Sequence, residues 1–101
     1  MQDSIEAKLI KLSERLSEIE KQLIEESSTL NQDDLISLNK EFSHIQPIVD
    51  LYSKYLKVLD ENTQAISLSK SDENEIKELA QIEVEETENS MNEILGELKL
   101  M

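Results

Sequence analysis

Glu41-x-x-His44 is the spacing in this chain best suited to holding a transition metal. On a helix the two side chains rise from adjacent turns, the arrangement used by di-iron helical bundles. Such a site takes two of these motifs and two further inward carboxylates, and the chain has a single His. Phe42 holds the core-facing position between them, which turns Glu41 and His44 to the flanks, so His44 reads as a surface residue. Nucleophilic catalysis needs a hydroxyl or thiol beside a base held by a third group, and the serines here fall in loops or at capping positions. One Gly cannot build a phosphate-cradling loop. Carboxylates abound, but acid–base work needs a pocket that perturbs them, and slim helices offer little of that. Tyr52 and Tyr55 read as core residues with hydroxyls at the rim, in preference to an interface hot spot. The sequence therefore predicts no catalytic, cofactor-binding or metal-ligating residue, no cofactor, and no enzymatic activity.

The elements that carry these residues are helices. With one Gly and one Pro in 101 residues, the chain lacks the turn residues that an all-β fold of this length requires. Asp3 and Glu6 form a capping-box pattern ahead of Ile5, Leu9, Leu12, Leu16, Ile19 and Leu23, whose steps of 3 and 4 mark one narrow seam. Ile10 and Ile24 sit off that seam. Residues 25–31 break the pattern, with Asn31 as the next N-cap and Asp33 and Asp34 facing the positive helix end. A second seam follows through Leu35, Leu38, Phe42, Ile45, Val49, Tyr52, Leu56, Leu59, Thr63 and Ile66. Such a helix would be roughly 50 Å long. Pro47 lies inside it and cannot donate to the carbonyl of Ser43, at a cost of about 3 kcal/mol. The seam keeps phase across Pro47, which predicts a kink with Pro47 facing solvent; two helices split at Gln46 are the alternative. Ile48, Leu51, Tyr55 and Val58 widen the stripe beyond Pro47, which predicts that the second half lies between the other two helices. Ser71 and Asp72 open a third helix with Ile76, Ala80, Val84, Thr87, Met91, Ile94 and Leu98 inward, Leu79 and Leu95 alongside, and Glu73 and Lys77 as an i,i+4 pair. The expected fold is all-α: an antiparallel three-helix bundle or helical hairpins with long helices and coiled-coil-like packing. It would be a single domain over 1–101, with helices at about 4–26, 32–67 and 72–100. Leu98, Leu100 and Met101 form an uncapped apolar end, and Gly96 comes too early to stop the helix, so the chain reads as the front of a longer protein.

Charge bounds the partners. The net charge is −13, which repels a phosphate backbone and an anionic membrane and favours a basic protein partner. Residues 71–101 hold ten acids against two lysines, a balance of −8, and the run Glu83 to Glu88 reads as a solvated face, with a docking surface as the alternative. No stretch is apolar enough to span a membrane, and Met1-Gln2-Asp3-Ser4 lacks the basic opening of a signal peptide. Absence of Cys fits a reducing compartment, and the cytoplasm is the expected location.

Particular stretches add a resemblance. Ser4-Ile5-Glu6-Ala7-Lys8-Leu9, then Leu12, Arg15 and Glu18, resembles the opening of the bacterial class I peptide chain release factors that read UAA and UAG. Leu38-Asn39-Lys40-Glu41-Phe42, Pro47-Ile48-Val49 with Tyr52, and Asp72 through Ala80 are similar to later blocks of that family, in order and spacing along nearly the whole chain. The absence of Trp favours this type over the UGA-reading one. The resemblance implies a peripheral helical domain at the front of a termination factor, docked on the ribosome near the large-subunit stalk-base protein. An intramolecular bundle is expected to be a monomer, and its net charge argues against direct nucleic-acid contact of its own. The family's Gly-Gly-Gln and Pro-x-Thr tripeptides do not occur here, so no hydrolytic or decoding residue carries over. The competing reading is a free-standing acidic adaptor or scaffold; a metal-dependent bundle enzyme is a distant third.

Overall fold

The computed structural model describes residues 3–101 and is all-helical, with no strand among them. Met1 and Gln2, part of the opening read above for a targeting signal, lie outside the described residues. The helices are α1 (Asp3–Glu25), α2 (Gln32–Leu68) and α3 (Asn74–Leu100). α2 runs without interruption through Pro47, which is exposed, so the alternative of two helices split at Gln46 does not hold. The chain forms two compact units, one ending at Asp50 and the other beginning at Leu51.

The first unit is a hairpin of α1 and the front of α2. Leu16, Ile19 and Ile45 form its buried centre, with Leu12, Leu23, Leu38, Phe42 and Val49 packed around them. These are the residues of the two predicted seams, and Ile19 is wholly removed from solvent. Ile10 and Ile24 fall outside the seam and are exposed. The turn is held by Glu26, whose carbonyl accepts from the amides of Thr29 and Leu30 and from the Thr29 hydroxyl. Asn31 then caps α2: its Oδ1 accepts from the Asp34 amide at 2.8 Å, which satisfies a donor that the helix start leaves open. The partners of α1 in this core all precede residue 51.

The second unit is a hairpin of the rest of α2 with α3. Its buried positions on α2 are Tyr52, Tyr55, Asn62 and Ala65, and on α3 Ala80, Thr87, Ile94 and Leu98. The predicted continuation of the α2 seam fails here: Leu56, Leu59 and Ile66 are exposed, as is Thr63. The buried row runs instead through Tyr55, Val58, Asn62 and Ala65, which at about 100° per residue lies on a different side of α2 from Leu38, Phe42, Ile45 and Val49. Hydrophobicity could not show this, because the replacing row contains an amide and a small residue. Asn62 is accounted for by partners on α3. Its Nδ2 donates to Thr87 Oγ1 at 2.8 Å and to the Val84 carbonyl at 3.4 Å, while the Thr87 hydroxyl donates to the Glu83 carbonyl at 2.8 Å. No buried side-chain polar atom is left without a partner among the described residues.

α3 begins at Asn74, later than the Asp72 expected. The Ser71 hydroxyl accepts from the Glu73 amide at 3.2 Å, a local turn that holds residues 71–73 outside the helix and leaves Glu73 as N-cap. Glu73 forms no ion pair with Lys77 among the described residues. Ile76 and Leu79, predicted on or beside the inner face, are exposed. The helix continues past Gly96, where an added Cβ would meet nothing within 4 Å.

Two stability changes follow. Thr87→Val keeps the shape but strips the Asn62 amide of its best acceptor, so urea unfolding should show a loss of about 1–3 kcal/mol, and Asn62→Leu with Thr87→Val should recover part of it. Gly96→Ala meets open space inside a helix, so thermal unfolding should show a gain of about 0.5–1 kcal/mol.

Candidate docking surface

The residues singled out for chemistry are not assembled into a reactive site. Glu41 spends both carboxylate oxygens on Arg15: Nε donates to Oε2 and Nη2 to Oε1, each at 2.7 Å. This fork-on-fork pairing fixes α1 against the front of α2. A third donation, from Arg15 Nη1 to Glu18 Oε2 at 3.3 Å, lies along α1. His44 is exposed one turn further on, and no cluster of three metal-ligating side chains occurs among the described residues. Hydrogen bonding to the Arg15 guanidinium, assisted by its charge, holds the Glu41 carboxyl below the usual carboxylate range, and partial burial opposes this less strongly. The same pairing raises the Arg15 pKa, so the guanidinium stays protonated at any working pH. Tyr52 and Tyr55 are both buried, as the core reading of that pair expected.

What the molecule presents instead is surface. Among the described residues no helix is long and apolar enough to cross a membrane. Along α3, Glu75, Glu78, Glu83, Glu85, Glu86, Glu88, Glu93 and Glu97 are all exposed, so the acidic run stands on the outer side of its helix. Amid these carboxylates stand two aliphatics facing water, Leu79 at 64% and Ile82 at 56% exposure. Spacing alone places Leu79 beside the core and assigns Ile82 no position in it. The signal that could have separated them from the core is their offset from Ala80, Thr87, Ile94 and Leu98, which repeat at steps of 7, 7 and 4.

The PCRF domain family matches residues 12–101. The chain belongs to that family. It is similar to peptide chain release factor 1 of Chloroherpeton thalassium (strain ATCC 35110 / GB-78), with 36% identity over 91 residues, which is 89% of this chain and 25% of that protein. The chain thus spans about a quarter of the length of the curated relative it matches. No solved structure matches it. The resemblance read from the residues is therefore a family relationship: these helices carry a PCRF domain, similar in sequence to part of that release factor.

The Arg15–Glu41 pair gives this PCRF domain a defined acid response. A carboxyl whose folded pKa is depressed contributes stability above its unfolded pKa, near 4.3 for Glu, and loses it as pH falls through the folded value. Thermal melts from pH 6 down to pH 2 should show a fall in Tm on the acid side that Glu41→Gln makes shallower. Equal slopes in the two proteins would rule the pair out as a contributor.

Proposed function

We propose that this chain is the ribosome-docking domain of a translation termination factor, acting as one N-terminal domain over residues 1–101 in the cytoplasm. It positions the factor beside the large-subunit stalk-base protein, and stop-codon reading and peptidyl-tRNA hydrolysis belong to the rest of the factor. The observation that carries this reading is the PCRF match together with the identity to a release factor along nearly the whole chain. Physical features support it. Each hairpin has a packed centre, and no buried side-chain polar atom lacks a partner among the described residues. The net charge of −13 opposes direct contact with RNA phosphates and favours a basic protein. The factor acts as a monomer through this domain, since self-association would bring like-charged surfaces together. A free-standing adaptor gains no separate observation from the structure.

Removing residues 1–101 from the full-length factor tests the reading. Affinity for stop-codon-programmed ribosomes should fall at least tenfold, while the hydrolysis rate at saturating factor stays within about threefold, as expected when uniform binding energy is lost. Unchanged affinity would remove the docking role, and lost hydrolysis at saturation would move this domain into the chemistry.

A further inference from the structure

Resting on the docking reading above, we propose that the outward face of α3 centred on Leu79 and Ile82 is the seat for a basic protein surface with an apolar socket, supplied by a ribosomal protein.

The pattern is set by helix geometry. Leu79 is bracketed one turn away on each side by Glu75 and Glu83, and Ile82 by Glu78 and Glu86. Residues at i,i+3 and i,i+4 are neighbours on a helix surface, so two aliphatics stand together with four carboxylates around them. All six side chains are exposed. Among the described residues none of the four carboxylates is held in an ion pair. Lys77, the cation closest in sequence, is two residues from Leu79 and so faces elsewhere.

An exposed aliphatic pair within a charged rim has the layout of an interface anchor and its polar border. The sign of the rim selects the occupant. Phosphate-bearing ligands and anionic lipid are repelled, and a second copy of this chain would bring the same carboxylates opposite each other. A surface rich in Lys and Arg around an apolar pocket complements both parts. The row Leu56, Leu59 and Ile66 on α2 is also apolar and exposed, and it serves as the rival face.

The test uses the full-length factor and stop-codon-programmed 70S ribosomes. Leu79→Ser with Ile82→Ser should raise Kd at least tenfold and leave the factor's Tm unchanged, because both side chains already face water. Leu56→Ser with Ile66→Ser should leave Kd within twofold. Glu→Gln at 75, 78, 83 and 86 should flatten the dependence of Kd on salt. An unchanged Kd in the first variant overturns the proposal. If the Leu56/Ile66 variant loses binding instead, docking stands on a different face. If neither variant nor removal of residues 1–101 weakens binding, the docking reading fails as well. A fall of several degrees in the Tm of the Leu79/Ile82 variant would show that the factor's own chain covers this face, which also overturns the proposal.

Discussion

A helix turns once every 3.6 residues, and an apolar row built on alternating steps of three and four turns once every 3.5. Over a short helix the mismatch is invisible. In α2 that drift of about 20° per heptad is too small to account for where burial falls, because the buried residues move to another side of the helix altogether. The front of α2 buries Ile45 with Leu38, Phe42 and Val49 half-covered, while beyond Asp50 burial moves to Tyr52, Tyr55, Asn62 and Ala65. One uninterrupted rod therefore serves two separate cores with two different sets of its own residues. The aliphatic row that a strict repeat would have buried is left facing water.

This explains which parts of the fold could be read from residues alone. In the first unit every core position carries a large aliphatic or aromatic side chain, so periodicity and packing point the same way. Asn31 was legible because a cap there has a single physical purpose, and its side chain performs it. The second unit was obscured because Asn62 and Thr87 reach burial by bonding each other across two helices, a property that neither residue type advertises. Ala65 and Ala80 are buried because they are small, which hydropathy does not reward. Ser71 misled in the opposite way: it makes a capping-type bond two residues ahead, yet helix α3 starts only at Asn74. The expectation of no reactive site rests on counts of His and Gly, whereas the solvent-facing position of Leu79 and Ile82 required knowing which side of α3 is buried.

Charge and packing are divided between different surfaces of the same helices. The bidentate ion pair of Arg15 with Glu41 sits where two helices meet, and its geometry ties one side-chain orientation to one helix alignment. The carboxylates of α3 are exposed to solvent. They raise the self-repulsion of the domain and make its encounters with cationic surfaces sensitive to ionic strength. A PCRF domain built in this way keeps its inner faces for structure and leaves its outer face available for recognition.

The Asn62–Thr87 bond bears on how the second hairpin reaches its final alignment. Two long amphipathic helices can slide by a heptad and still cover much of their apolar area, so several alignments compete during folding. A slide by seven residues would set the Asn62 amide opposite Ala80 or Ile94, neither of which carries an acceptor in place of the Thr87 hydroxyl. Each slipped state would strand a polar group in a dry interior, at about 1–3 kcal/mol. The amide thus acts as an alignment key: it singles out one pairing from a ladder of near-equal ones and narrows the search the chain must make.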